Sequence, residues 1–464
     1  MSLFNSLSAG TAALNAQSYA LQIAGKNLAN VNNANYARET ANLGTSPLTS
    51  GALGSLSEGV DVQSISQIRD AFLDQQVTRE NSITAALTTE QSALQQAQAG
   101  LGETVSTGDS TSAGASLSSQ LTGLFNSFQS LAASPSDAGA RQTLLQNAAA
   151  FADQLNQTDA NLADVQTGLT TQVQGDTSEI NTLLGTIATL NSQIARAEVN
   201  QPGSAVDLRD QRQTALESLA AKMSFNTSTA TTGGQVRITA TDAGGNEVSL
   251  VDGATVTNAV AFNGTSLTAG GAALALTGGS VKGALDARDG AIQTFRDNLD
   301  ALANQLVTSV NAAYNPSGAA GNFFDAGGTT AATIALDPAL TSSTLTTGAS
   351  ANAGDNTIAL AVASLAHQTF STASGDAIDG TLTQFYAGTV SGFGQTLSNL
   401  NNQVDNQTAV QNLVASQRSS VSGVNLDEET ANLMKYQRAY QASSHFISIV
   451  DNLLATLVQL GSGA

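Results

Sequence analysis

Both ends of the chain carry apolar residues at the spacing of a coiled coil. Near the start, leucines recur every seven residues, at Leu7, Leu14, Leu21 and Leu28. Near the end, positions separated by three and four residues are mostly apolar, at Leu433, Tyr436, Tyr440, Ser443, Ile447, Val450, Leu454 and Leu457. This spacing places one narrow apolar stripe on each predicted helix. Each stripe needs a partner, either the other terminus or the same segment of a neighbouring subunit. We therefore predict an assembly interface made of these residues, Ser443 excepted.

Between the two ends, a longer apolar stripe predicts long helices. From about 139 to 199, residues such as Leu144, Phe151 and Leu155 keep to one helical face, with Gly168 or Gly175 as the candidate break. At 1.5 Å per residue, an unbroken helix of this length would approach about 90 Å. Such a stripe is typical of an elongated multi-helix rod rather than of a compact enzyme.

The pattern changes near residue 223. The segments 235–240, 246–251 and 254–262 alternate apolar and polar residues or are bounded by glycine-rich turns, which predicts β-strands. Helical spacing returns at Gly283 and continues to Tyr314. The predicted fold class is therefore mainly α with an inserted β domain, and the terminal helices form a coiled coil.

These patterns predict four regions. Residues 1–40 and 419–464 form the terminal coiled-coil domain, and 41–222, 283–316 and 352–418 form the long-helix rod. Residues 223–282 form the inserted β domain, and 317–351 form a Gly/Thr-rich loop or small β element. A further loop, rich in Gly, Ser and Thr, is expected at 106–116.

Composition narrows the classes of function. Only 11% of the 464 residues are charged, and 36 acidic against 16 basic residues give a net charge of -20. Nucleic acid is therefore an unexpected partner, because binding phosphates needs clustered Lys and Arg. The chain has no cysteine, no basic and apolar N-terminal leader of the Sec type, and no apolar run of membrane-spanning length. We expect no membrane insertion and, if the chain is secreted, another export route.

Candidate chemistry is sparse, so we predict no enzyme and no catalytic, cofactor-binding or metal-binding residues. His367 and His445 are the only histidines, and no Gly-x-Ser-x-Gly motif exists. The stretch DAGGNE at 242–247 superficially suggests a calcium loop. Its oxygen-bearing side chains do not lie at the alternating positions that an EF-hand requires, so a β-turn is favoured. Arg288 and Asp289 could form a functional pair, although a structural ion pair or helix cap is the favoured interpretation.

The C-terminal stretch reads SGVNLDEE at 422–429, then LM at 433–434 and QRAYQA at 437–442. It closely resembles the C-terminus shared by bacterial flagellar axial proteins, the rod, hook and hook-associated proteins. The N-terminal NLANVN at 27–32 resembles the matching N-terminal pattern. That pattern usually continues Thr-Pro-Gly-Tyr, whereas here Asn33, Ala34 and Asn35 precede Tyr36; asparagine tolerates the left-handed backbone that glycine usually adopts.

A third block resembles one family within this group. GGSVKGALDARD at 278–289 is followed by Leu302, Ala303 and Asn311, and FFD at 323–325 comes after a Gly-rich loop. DLRDQR at 207–212 also fits. These blocks look like the middle of the FlgK family, whose members join the flagellar hook to the filament; the segment 223–282 matches that family only in position.

The resemblance implies a structural subunit of the bacterial flagellum, outside the cell, that self-assembles at the junction of hook and filament. Implied partners are copies of itself, the hook protein, hook-associated protein 3 and a flagellar export chaperone. Implied export is through the flagellar type III apparatus. The alternatives are another flagellar axial protein, or an acidic secreted adhesin or binding module that uses the β region as its binding site.

Overall fold

The computed structural model describes residues 3–33, 35–45, 48–51, 54–57, 59–101, 116–230, 233–318, 321–350, 352 and 354–462. The chain divides into two compact units. The first comprises Met1–Ala85, Asp176–Gly279 and Gln407–Ala464, and the second comprises Ala86–Gly175 and Ser280–Asn406. Each unit therefore collects segments that are far apart in sequence. Except for Ser116, the predicted loop at 106–116 lies outside the described residues.

Most of the described residues are helical. The helices are α1 (Leu3–Ala29), α2 (Ala71–Gly100), α3 (Leu117–Ala133), α4 (Ala138–Ala197), α5 (Val206–Lys222), α6 (Ser280–Asp286), α7 (Gln293–Tyr314), α8 (Thr357–Ser364), α9 (Leu382–Ser422) and α10 (Leu426–Ser462). A π-helical turn, Ala287–Ile292, joins α6 to α7. The strands are β1 (Glu39–Thr45), β2 (Leu48–Gly51), β3 (Gly54–Ser57), β4 (Val60–Gln67), β5 (Asn226–Thr229), β6 (Val236–Thr241), β7 (Glu247–Asp252), β8 (Thr255–Val256), β9 (Val260–Phe262), β10 (Leu267–Ala269) and β11 (Ala272–Ala273). The predicted mainly α fold with an inserted β region is confirmed.

The long central stripe forms one continuous helix. α4 has 60 residues, and Gly168 and Gly175 lie within it without a break. Its stripe is buried along the whole length, as Leu144, Leu155 and Ile194 illustrate. A single glycine costs only about 1 kcal/mol in a helix, so the packed stripe on either side is enough to keep α4 unbroken.

In the first unit, β1 pairs with β4 and β2 with β3, each pair antiparallel. The inserted β region forms a four-stranded sheet in the order β5-β6-β7-β8 and a three-stranded sheet in the order β11-β10-β9. Two asparagines of α4 form hydrogen bonds with the backbone of this β region. Asn181 donates to the carbonyl of Val260 (2.7 Å) and accepts from its N–H (2.9 Å). Asn191 makes the same pair of hydrogen bonds with Val236.

The second unit has an aromatic core. The rings of Phe128, Tyr314 and Phe324 lie 4.9–5.6 Å from that of Phe323. Asn311 accepts from the N–H groups of Phe323 and Phe324 and donates to the carbonyl of Phe324. The described part of 317–351 is therefore anchored at these residues and carries a β-bridge between Phe324 and Leu336. The four predicted region boundaries stay predictions.

A glycine lets two helices of the second unit touch. A Cβ on Gly283 of α6 would lie 2.0 Å from the carbonyl oxygen of Ala86 in α2. Only glycine fits there, which explains one glycine of the GGSVKGALDARD block.

Candidate assembly site at the paired terminal helices

α1 and α10 pack against each other in the first unit. Asn27, near the end of α1, contacts Glu429 at the start of α10. Gly10, near the start of α1, lies against Ile447 and Phe446 in the middle of α10. The two helices are therefore antiparallel, and at the same rise per residue the start of α1 lies opposite about residue 454. The last two turns of α10 extend beyond it.

The leucine heptad of α1 lies at the edge of the buried face rather than at its centre. Leu7, Leu14, Leu21 and Leu28 are only half-buried. The buried residues of α1 are Gly10, Ala16, Ala20, Ile23, Ala24 and Asn27. The small side chains allow close packing on this helix, whereas the leucines keep part of their surface free.

The predicted stripe of α10 divides into two groups. Val450 is buried, and Leu433, Tyr436, Ile447 and Leu454 are half-buried. Tyr440 and Leu457 are exposed, at 37% and 53%. The structure thus brings most of the stripe towards the body of the unit and leaves these two side chains in solvent. Their assignment to an interface between subunits stays a prediction.

A second apolar stripe of α10 faces solvent. It comprises Phe446, Ile449, Leu453, Leu457 and Leu460, spaced by three or four residues and 46–70% exposed; we call it the outer stripe. Sequence reasoning found only Leu457, because the heptad assignment followed a single stripe. The signal was present as a second set of apolar residues at helical spacing in the last turns of the chain.

A network of buried polar groups joins the end of α1 to the start of α10. The amide of Asn27, 1% exposed, uses all four of its hydrogen-bonding positions. Its Nδ2 donates to the Glu39 carbonyl (2.9 Å) and to Glu429 Oε2 (3.1 Å). Its Oδ1 accepts from the Tyr36 hydroxyl (2.8 Å) and the Glu39 N–H (3.0 Å).

Arg38 also joins this network, because it donates to two glutamates at the start of α10. Its Nε donates to Glu429 Oε1 (2.8 Å) and its Nη1 to Glu428 Oε2 (2.7 Å). Its backbone N–H donates to the carbonyl of Ser422, the last residue of α9. We call Asn27, Tyr36, Arg38, Glu39 and Glu429 the polar clasp. The clasp explains why both terminal motifs contain these residue types, a link that sequence reasoning missed because its partners are about 400 positions apart.

The charges around the clasp are paired. Lys26 Nζ donates to Glu39 Oε1 (2.6 Å) and Asp207 Oδ1 (2.5 Å). Burial works against the charged form of Lys26, but these two hydrogen bonds outweigh it and raise the pKa of Lys26. Burial raises the pKa of Glu39, and Lys26 offsets only part of that effect. Burial also raises the pKa of Tyr36, so its hydroxyl stays protonated and donates to Asn27.

The remaining candidate groups have structural surroundings. Arg288 forms a two-point ion pair with Asp289, with atoms 2.7 and 2.9 Å apart. Asp242 accepts from the N–H groups of Gly244 and Asn246, the geometry of a tight turn. Over the part of the chain that the structure describes, no three His, Asp or Glu residues group as a metal site. No described helix is both long and apolar enough to cross a bilayer.

Comparisons with known proteins cover these elements. The family described as flagellar hook-associated protein FlgK helical domain matches residues 109–324. The family described as flagellar basal body rod FlgEFG protein C-terminal matches residues 415–460, which include most of α10 and Glu429 of the clasp. Flagellar hook-associated protein 1 of Bacillus subtilis is 27% identical, and the alignment covers 98% of each chain.

The helical middle of the chain is thus similar to the FlgK family of flagellar hook-associated proteins, and its C-terminal segment to flagellar rod proteins. The protein of the same name from Salmonella typhimurium is 32% identical over 43% of this chain and 34% of its own length. A solved structure, the flagellar hook junction protein FlgK from Burkholderia pseudomallei, is 24% identical with a TM-score of 0.45, over 54% of this chain and 46% of that one. The family resemblance of the three motif blocks is confirmed. These matches support a structural role for the chain in the bacterial flagellum, outside the cell and in assembly with other flagellar components.

Proposed function

We propose that this protein is a structural subunit of the junction between flagellar hook and filament, and that it assembles with copies of itself through the α1–α10 pair. The observation that carries the proposal is the outer stripe of α10. Its side chains stay 46–70% exposed although α10 is paired with α1, and Phe446 at its edge also lies against Gly10. A contiguous apolar surface of this kind is a usual mark of a protein interface.

The outer stripe is large enough to matter energetically. Fully burying a Leu, Ile or Phe side chain contributes about 1.5–3 kcal/mol. The five side chains of the stripe are about half exposed, so each would add roughly 1 kcal/mol when covered and the stripe roughly 5 kcal/mol. The half-buried leucines of α1 and the exposed Tyr440 of α10 would add to this contact.

The finer partners follow from the family. We propose contacts with the hook protein and with hook-associated protein 3, export through the flagellar type III apparatus with the help of an export chaperone, and no catalytic activity. The matches to flagellar families support this proposal over an adhesin with a binding β region. Within the proposal, a net charge of -20 keeps the subunits apart in solution until the apolar stripes meet in the assembly.

Three aspartate substitutions on α10 test the role of each face. Leu453→Asp changes the outer stripe, Ile447→Asp changes the face that lies against Gly10, and Ser448→Asp changes an exposed polar position between them. All three chains should be exported. Leu453→Asp should keep the helicity and melting profile of the purified chain, but it should give hooks without filaments because a charge would lie in a desolvated contact.

Ile447→Asp should lower the helicity and the melting temperature of the purified chain and should also give hooks without filaments, since it weakens the α1–α10 pair itself. Ser448→Asp should build nearly normal filaments. Filaments of normal number and length on Leu453→Asp hooks would contradict the proposed assembly role of the outer stripe.

A further inference from the structure

The apolar stripes of α1 and α10 do not by themselves fix how far one helix is shifted along the other. On α1, a shift of seven residues replaces one leucine at the edge of the buried face by the next, and Ala16 of that face by Ile23. On α10, the same shift replaces Ile447 by Leu454, again an aliphatic residue. Gly10 offers a notch that either side chain could enter. Heptads with interchangeable residues leave several registers close in free energy, and proteins commonly select one with a buried polar group.

The polar clasp is a polar group of this kind, at one end of the pair. Asn27 satisfies both its donors and both its acceptors there. Glu429, 3% exposed, accepts hydrogen bonds from Arg38 Nε and Asn27 Nδ2. If α10 moved by one heptad in one direction, Tyr436 would take the place of Glu429; in the other direction no residue of α10 would, since α10 begins at Leu426. The amide of Asn27 would then lose an acceptor, and a buried carboxylate would lose both of its donors.

We propose that the polar clasp sets the register of α1 against α10. Breaking a buried ion pair by removing one partner is strongly unfavourable, because the remaining charge stays in a poorly hydrated site. A slipped register is therefore unfavourable because it would leave Glu429 and Asn27 buried without partners. The apolar stripes stabilise the pair in any register and do not select one. Arg38 adds to the selection because its backbone N–H is fixed to the carbonyl of Ser422.

The register decides which part of α10 extends beyond α1. In the observed register the overhang contains Leu457, Val458 and Leu460, which are 53–70% exposed. A slip by one heptad would cover this end or lengthen it by two turns. The consequence for assembly rests on the proposed function, whereas the register claim itself concerns the isolated chain.

Engineered disulfides test the register directly, because the chain has no cysteine. Gly10→Cys with Ile447→Cys reports the observed register, since a Cβ on Gly10 would lie 2.9 Å from Ile447 Cγ1. Gly10→Cys with Tyr440→Cys or with Leu454→Cys reports a slip of one heptad in either direction. Each pair is oxidised in the dilute full-length chain, and the monomeric cross-linked band is quantified.

With the clasp intact, the 10–447 product should form and the two slipped products should stay at background. Asn27→Leu keeps the size of the side chain but removes its donors and acceptors, so the slipped products should rise at least fivefold relative to the 10–447 product. Glu429→Leu breaks the clasp from the other helix and should give the same result. Asn30→Leu is the matched control and should leave the native product dominant. Among the described residues, the Asn30 side chain bonds only to the Lys26 carbonyl, one turn back.

Two results would overturn the proposal. One is an unchanged product distribution in both clasp variants. The other is loss of all three products with reduced helicity, which would mean that the clasp holds the pair together without choosing its register. Because no filament is formed in this experiment, either result would leave the junction assignment standing, and filament loss with a native register would bear on that assignment alone.

Discussion

Adding one methyl group at Gly283 should destabilise the second unit. A Cβ at this position would lie 2.0 Å from the carbonyl oxygen and 2.8 Å from the carbonyl carbon of Ala86. Carbon–oxygen contacts in proteins are normally about 3.3 Å or longer, so α6 and α2 would have to separate by about 1 Å. The opposing atoms belong to backbone, which cannot rotate away as the end of a flexible side chain can.

The expected size follows from two opposing effects. Gly→Ala gains about 0.8–1 kcal/mol of helix propensity, whereas overpacking costs about 1–3 kcal/mol and more where backbone must move. Because backbone must move here, the cost should be at the upper end, about 3 kcal/mol, which leaves a net loss of about 2 kcal/mol. For a domain of 150–250 residues, 1 kcal/mol corresponds to a Tm change of about 2–4 °C, so the transition of the second unit should fall by about 4–8 °C.

Gly388→Ala is the matched control in the same unit. Over the part of the chain that the structure describes, nothing outside its own helix lies within 4 Å of a Cβ on this residue of α9. Only the propensity gain should therefore remain, and the Tm should rise slightly. Calorimetry of the purified full chain would resolve the two changes. A Gly283→Ala protein that melts at or above the temperature of the parent, beside a normal Gly388→Ala control, would refute the packing argument.

Two further predictions concern polar groups. Glu198 pairs with Arg209 at two points, 2.7 Å each; burial alone would raise the pKa of Glu198, but Arg209 and nearby backbone N–H groups outweigh it and lower the pKa. The ion pair therefore stabilises the fold above the ordinary pKa of about 4.5, and this stabilisation is lost as pH falls through the pKa of the folded state. Glu198→Gln should lower the Tm at pH 7 and make the Tm fall less steeply with pH below about 4.5. An unchanged dependence of Tm on pH would count against this pairing. Asn311→Leu removes the three hydrogen bonds that hold Phe323 and Phe324, which costs about 1–3 kcal/mol for each buried group left unpaired. The substitution should therefore speed proteolysis within 317–351. Cleavage at the parental rate would show that ring packing alone anchors the segment.

Periodicity predicted the elements well, because their formation depends on local spacing. The stripe over 139–199 gave α4, and alternation after 223 gave the inserted strands. The same reasoning did not decide whether Gly168 or Gly175 would break α4, since the outcome depends on packing along the flanking stripe.

The candidate site was predicted in part. Heptad spacing indicated that the terminal helices would pair, yet it could not show that Gly10 and three alanines, rather than the leucines, occupy the buried face of α1. That choice depends on which neighbours surround α1, and α1 contacts β1 and β4 as well as α10. The clasp between Asn27 and Glu429 was invisible in sequence because it joins residues 402 positions apart.

Electron microscopy of intact flagella labelled with gold-conjugated antibody against this chain would show where the protein lies along the flagellum. We expect gold at a single place on each flagellum, the boundary between hook and filament, and no gold on flagella of cells that lack the chain. Gold spread along the filament, confined to the hook or rod, or found only on the cell surface would contradict the assignment to the junction.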